Sequence, residues 1–558
     1  MRAYMVALGI LAAAVLGSAA LLSGAAAHTQ TPSMHAQVDA IFNRWSASTP
    51  GCAVGVAVNG RPLVRSAYGM ADLEHDVPIA VNTIFEAGSV SKQFTAAAVL
   101  LLAKDGKLSL DDSVRKYVPE LPDFGAPLTI RQMLNHTSGL RDWGTLAAIA
   151  GWPRTSRVHT HAHVLDILSR QRSLNFPSGT RWSYSNSGYN LAAILVSRVS
   201  GTSFADFTTT RIFAPLEMND TSWRDDHTRI VKRRAIAYRQ RQNTFAIDMP
   251  FENVYGNGGL LTTVEDLLKW NGNFTTPKVG DAAFLADLQR RATFNDGRSH
   301  EYALGLYVDT YKGVREVDHS GGTAGYRAHL ARYPDQGVSV AVLCNVGSAN
   351  ATAYAKAAAE LFLGPALRPA STPAASHTLT DADATRLVGL YRSLQPAAVT
   401  SIVTEKGRLR VESGPWLMGM SPTRFVKPDD GQTLEFDGRG QLRATDEFGT
   451  VDVYERVEPA MLTADQLKGF VGRYVSEEIE TTLDVAVEEG RLVIRRRPDA
   501  TIPLTPVYAD AFSINGGWVR FRRDATGRVV GLSVSQDRVW DLQFARQPAA
   551  ADTSASTH

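Results

Sequence analysis

Cysteine is scarce: two in 558 residues, too few for a disulfide framework or a cysteine-rich zinc module. An excess of either charge is missing too. Lys and Arg total 58 against 56 Asp and Glu, a net charge of +2. A chain this balanced lacks the clustered basic excess that nucleic acid demands, so no nucleic-acid partner is expected. Hydrophobic residues make up 44% and charged residues 20%, which excludes a wholly disordered chain. A long apolar run occurs once, at residues 5–22, and no other segment is apolar enough to cross a bilayer.

That run has the layout of a secretory signal. Arg2 precedes it, and the small residues Ala25, Ala26 and Ala27 follow it just before His28. An uncleaved anchor is the competing reading, but the Ala/Gly/Ser content and the small-residue exit favour cleavage after Ala27. A periplasmic or secreted location is therefore expected, with a membrane-anchored form less favoured.

Beyond the signal (1–27), the pattern divides the chain into a catalytic block (28–364), a linker (365–378), two β units (379–458 and 459–548) and a disordered tail (549–558). The catalytic block opens with a helical stretch at 38–45 and a strand pair at 53–58 and 62–64, turned at Asn59-Gly60. It closes with a second pair at 328–333 and 337–343, and the patterns between are mostly helical. Strands at both ends with helices between imply one sheet built from the two ends and covered by helices. The linker is rich in Pro, Ala and Ser. The remainder carries short alternating strands and repeats itself: Val388-Gly389-Leu390-Tyr391 matches Val471-Gly472-Arg473-Tyr474, and Gly407-Arg408-Leu409 matches Gly490-Arg491-Leu492, both at an offset of 83. This implies two small antiparallel barrels or sandwiches, separable from the catalytic block.

Chemistry is suggested first by Ser89-Val90-Ser91-Lys92. A helix starting near Ser89 sets Lys92 one turn away on the same face. A lysine buried there loses solvation, its pKa falls, and it accepts the serine proton. Alone, S-x-x-K is common and reads as a capped helix. Two further segments change that reading. Tyr184-Ser185-Asn186 places a phenol two residues before an amide, ahead of a helical pattern. His319-Ser320-Gly321-Gly322 is a strand of small residues that lets a substrate backbone approach, and the N–H of Gly322 with that of Ser89 makes a candidate oxyanion hole.

In this order the three segments resemble those of the serine β-lactamase and penicillin-binding protein superfamily. Tyr184-Ser185-Asn186 is similar to the Y-x-N of class C β-lactamases. His319-Ser320-Gly321 stands where many members have K-T-G. Residues 134–140 (LNHTSGL), 215–218 (PLEM) and 258–260 (GGL) add to the likeness. The resemblance implies a three-layer α/β (α+β) catalytic domain with a central antiparallel sheet. It implies Ser89 as acylated nucleophile, Lys92 as its base, Tyr184 as second general base/acid and Asn186 as orienting amide. His319 takes the place of the third-motif lysine, and Ser320, Gly321 and Gly322 border the substrate. A histidine there is mostly neutral at pH 7, which argues against strong β-lactamase or carboxypeptidase activity. With two small lipocalin-like β-barrels behind it, the domain resembles bacterial D-aminopeptidases, in which a loop of the last barrel narrows the active site. The implied activity is acyl transfer from a small D-amino-acid peptide, amide or ester, peptidoglycan-derived substrates included, with no metal or cofactor. An esterase, a β-lactamase or DD-peptidase, a non-catalytic sensor and a homodimer all stay open.

The fold so implied makes the first and last strands of the central sheet antiparallel neighbours. Cys52 and Cys344 are therefore expected with Cα atoms within about 10 Å, two strand spacings, and as buried thiols in preference to a bridge. His136 is expected to hold a turn. His159, His161 and His163 are expected in a solvated loop or helix start, not a metal site. The runs 232–234 and 495–497 are expected as solvated basic faces.

Overall fold

The computed structural model describes residues 33–368, 377, 379–395 and 397–548. The expected signal, the C-terminal tail and most of the linker lie outside these residues. Among the described residues no helix is long and apolar enough to cross a membrane.

The catalytic domain is built on six antiparallel strands: β1 (Cys52–Val58), β2 (Arg61–Tyr68), β3 (Tyr307–Tyr311), β4 (Val314–Thr323), β5 (Tyr326–Tyr333) and β6 (Val338–Cys344). They lie in the order β3-β4-β5-β6-β1-β2. The two ends of the domain thus meet in mid-sheet at β1 and β6, whose residues are buried almost throughout. A strand covered on both faces needs a near-continuous apolar run, and CAVGVAV and VSVAVLC supply it.

Helices α1 (Met34–Phe42), α2 (Lys92–Lys104), α3 (Trp143–Ile149), α4 (His161–Ser169), α5 (Asn186–Ser200), α6 (Val264–Gly272) and α7 (Ala351–Leu363) complete three layers. On one face, α1 and α7 pack on Val54, Val56, Val340 and Val342. On the other, the lobe of α2 to α6 packs on Ala53, Ala57, Ala341 and Leu343. Every residue of α2 from Lys92 to Leu102 is buried, as a helix apolar all round requires.

Cys52 and Cys344 face each other across β1 and β6. Their Cα atoms are 4.0 Å apart and they form a disulfide. The proximity matches expectation; the free thiols do not. Being direct partners in an antiparallel register points both side chains to one face, which neighbouring strands alone do not guarantee.

None of the strands after residue 379 joins the central sheet. The first β unit is an eight-stranded sheet that does not close on itself among the described residues; the second is a closed eight-stranded barrel. The repeat is physical. Thr380 and Thr463 each cap a short helix with their side chains. Tyr391 donates to the carbonyl of Leu387 and Tyr474 to that of Phe470. Each of these pairs is 83 residues apart.

The closed barrel does not stand apart from the catalytic domain. Its apolar interior, including Leu483, Leu492, Phe521 and Phe544, belongs to the same contiguous core as α2 and α5. The basic run at 495–497 is solvated only in part: Arg495 is exposed, while Arg496 donates to the carbonyl of Ile149 (3.0 Å) and Arg497 to that of Ala150 (3.0 Å). These carbonyls end α3, where unpaired acceptors are present and cations are favoured. In the run at 232–234, Arg234 is largely buried and pairs with Glu86 at 3.4 Å.

Candidate active site

A cleft of about 620 Å³ opens where the first turn before α2, the N-terminus of α5 and the end of β4 converge. Ser89, Tyr184, Asn186, His319, Ser320, Gly321 and Gly322 all line it. Lys92 lies just beneath, fully buried.

Ser89 sits in a 3-10 turn, Gly88–Ser91, and the α-helix proper begins at Lys92. Two glycines make this possible. Gly88 has a φ of +51°, and a Cβ on it would fall 2.6 Å from the N of Gly322. A Cβ on Gly321 would fall 2.0 Å from the carbonyl oxygen of Ala87 and 3.0 Å from the N of Ser89. β4 therefore presses directly on the turn that holds Ser89, and only glycine permits that approach. The N–H groups of Ser89 and Gly322 consequently border the same corner of the cleft.

Lys92 Nζ lies 3.2 Å from Ser89 Oγ, 2.9 Å from Asn186 Oδ1 and 2.7 Å from the carbonyl oxygen of Asn257. Burial holds its pKa well below that of an ordinary lysine, and Arg538 and Arg154 push it the same way against the pull of Asp142. A neutral amine there donates its two N–H bonds to the two amide oxygens and turns its lone pair to the Ser89 hydroxyl. Asn186 opens α5 and donates its own N–H to Asp142 Oδ2 (2.8 Å). One turn on, Asn190 donates to Asn257 Oδ1 (2.7 Å) and steadies that loop.

The ring of Tyr184 lies between two basic side chains, 4.8 Å from Lys92 Nζ and 4.7 Å from Arg538 Cζ. Its hydroxyl is buried without a well-formed hydrogen bond among the described residues. Burial raises its pKa, which the Ser89 hydroxyl and Arg538 offset only in part. Tyr184 rests as a phenol.

His319 is buried. Its Nδ1 lies 2.6 Å from the carbonyl oxygen of Ser320, which can only accept, so Nδ1 carries the proton. Nε2 then accepts from the Tyr302 hydroxyl at 3.0 Å. Burial, reinforced by Lys92, pushes its pKa down to about 3. The third motif supplies a neutral donor, not a cation.

His136 has φ +64° and receives the N–H of Ser185 at 3.3 Å, holding the turn that carries Tyr184. The histidines at 159–163 meet the expectation of a helix start, but not of a solvated segment throughout. His161 and His163 do open α4, but His159 is buried. His161 bonds the carbonyl of Tyr255 at 3.0 Å, and burial pushes its pKa down to about 4.

Asn257, Arg154, Tyr307, Asp537 and Arg538 also line the cleft and escape the motif reading. Asn257 lies in the Gly256–Gly259 turn, whose glycines were its one local signal. Arg538 has none. It rides the hairpin between β7 (Val529–Gln536) and β8 (Val539–Arg546) of the closed barrel. Its carbonyl accepts from Asn175 Nδ2 (3.0 Å) and from the N–H of Asp142 (3.3 Å), while Asn175 Oδ1 accepts the N–H of Trp540 (2.8 Å).

The Beta-lactamase family model matches residues 34–363. Penicillin-binding protein 4* of Bacillus subtilis is 30% identical over 383 residues, covering 64% of this chain and 82% of the relative. The D-aminopeptidase of Brucella ovis is 26% identical over 528 residues, covering 90% of this chain and 96% of the relative. The octameric penicillin-binding protein homologue of Pyrococcus abyssi shares the fold, with a TM-score of 0.52 at 20% identity over 82% of this chain and 96% of its own.

Proposed function

Because the chain belongs to the beta-lactamase family, we propose that it is an exported serine hydrolase that releases N-terminal D-residues from small peptides or amides through an acyl-enzyme on Ser89. The observation that carries this is the buried, low-pKa Lys92 amine facing Ser89 Oγ at 3.2 Å. The likeness to a D-aminopeptidase over 90% of the chain, both β units included, supports the substrate class. The disulfide supports export, since such bonds persist in oxidising compartments, as does the signal-like segment 1–27.

The chemistry uses side chains already placed. Ser89 Oγ attacks the scissile carbonyl carbon and its proton passes to Lys92 Nζ. The carbonyl oxygen, now negative, sits between the N–H groups of Ser89 and Gly322. Tyr184, a phenol at rest, gives its proton to the leaving nitrogen as the C–N bond breaks and regains one from Lys92. A water then attacks the ester, its proton returning through the Tyr184–Lys92 pair while Ser89 Oγ leaves reprotonated. His319 positions Ser320 and holds no charge.

A panel of D-alanine p-nitroanilide, a D-Ala-D-Ala peptide, p-nitrophenyl acetate and nitrocefin tests the reading. Turnover of the D-alanine anilide well above nitrocefin, lost in Ser89→Ala, is expected. Turnover of p-nitrophenyl acetate alone sinks the peptidase reading in favour of an esterase.

A further inference from the structure

We propose that Arg538, carried in from the closed barrel, is the anion anchor of the cleft, and that the preferred leaving group is an amino acid with a free α-carboxylate. This rests on the hydrolase reading above, because it uses the place of Tyr184 beside the leaving nitrogen.

Most of the basic groups at the cleft carry no unmatched positive charge. Four basic groups stand in or under the cleft besides Arg538's own: Lys92, His319, His136 and Arg154. Burial holds Lys92, His319 and His136 below their usual pKa values. Arg154 is gripped by Glu252, with Nε 2.9 Å from Oε2 and Nη2 on Oε1, so its charge is matched by a buried carboxylate. Arg538 differs. Its ion-pair partner among the described residues is Asp537, which meets Nε at 3.1 Å and has a side chain 77% exposed. A pair that open to water is weak and readily exchanged. The two Nη groups have no hydrogen-bond acceptor among the described residues, and the guanidinium lies over the Tyr184 ring, 4.7 Å from its centroid.

The hairpin backbone that carries the group is held in place. Asn175, 7% exposed, clamps the hairpin through the carbonyl of Arg538 and the N–H of Trp540. Arg141 adds a bond to the carbonyl of Trp540 (3.0 Å). A guanidinium carried on a fixed hairpin, laid over a ring and with both Nη groups free, matches a carboxylate in bidentate geometry. Its position on Tyr184 puts the anion on the leaving-group side of the scissile bond. A dipeptide such as D-alanyl-glycine places its terminal carboxylate there; a neutral amide or anilide offers nothing to the guanidinium.

Calorimetric titration of the full-length Ser89→Ala chain with D-alanyl-glycine and D-alanyl-glycinamide tests this without turnover. At low salt the carboxylate ligand is expected to bind at least about 10-fold tighter, the scale of a hydrogen-bonded charge pair. In Ser89→Ala/Arg538→Gln the preference should fall below about 2-fold, and Arg538→Lys should recover part of it. Unfolding curves of all three should superimpose; if Arg538→Gln shifts the curve, Arg538→Met provides the neutral comparison. A preference that survives loss of the guanidinium overturns the proposal. So does equal binding of the two ligands, or binding of neither by a folded chain. Failure of the hydrolase reading shows elsewhere, as absent Ser89-dependent turnover on the substrate panel.

Discussion

Arg141 and Glu478 form an ion pair at 2.8 Å across the junction of the catalytic domain and the closed barrel, with side chains only 2% and 6% exposed. The same arginine accepts the Ser187 hydroxyl at its own carbonyl (2.7 Å), and its neighbour Asp142 accepts the N–H of Asn186. Two residues therefore tie the barrel to the first turn of α5, where the amide beside Lys92 begins.

Breaking this pair from one side strands a charge in the interior. Arg141→Met or Glu478→Gln is expected to cost about 3–5 kcal/mol in chemical denaturation of the full chain, and the double Arg141→Met/Glu478→Leu less than either alone. Truncation after Leu363 exposes the shared core and should yield aggregated chain in size-exclusion chromatography. A monodisperse catalytic block would bear out the separable tail that the linker composition implies.

Lys92→Ala should slow acylation of Ser89 at least about 10²-fold by stopped-flow labelling with a fluorophosphonate. The wild-type kcat/KM should be flat through neutral and mildly alkaline pH, with its acid limb well below an ordinary lysine pKa, because Lys92 is lowered while Tyr184 is raised. A rate that climbs steadily toward pH 10 makes the Tyr184 phenolate the base instead.

The disulfide closes a span of 292 residues. Cys52→Ser/Cys344→Ser, or treatment with a reductant, is expected to remove about 2–5 kcal/mol of stability. A thermal melt unmoved by reduction contradicts this.

Acid should destabilise the fold before carboxylate pairs titrate. His300 and His319 are pushed down to about 3, His161 to about 4 and His136 well below normal, each mainly by burial. Their folded pKa values lie below the unfolded 6.5, so the stability they contribute is complete above 6.5 and lost as pH falls below it. Glu301 and Asp318, raised by burial to about 7, act in the opposite sense. His329, pushed down to about 3, and His159 act with these four, so a net loss of stability is expected between pH 6.5 and 4.5. Denaturant midpoints across that range check it; a constant midpoint contradicts it.

The sequence by itself determined the sheet and the motif residues. An apolar run such as CAVGVAV is legible because burial on both faces leaves no polar position. The 83-residue repeat is legible because each copy must build the same cap and tyrosine bond. Ser89 and Lys92 are legible because one helical turn fixes their separation. Tertiary structure alone decided the rest. Whether Cys52 and Cys344 bridge depends on register, not on which strands adjoin. The state of His319 depends on what surrounds it, and the hydrogen bonds of its two ring nitrogens go to Tyr302 and Ser320. Arg538 stands 449 residues after Ser89. No local pattern marks it, because its place in the cleft is set by how the barrel docks on Asn175, Arg141 and the end of α3, contacts that exist only once both domains have folded.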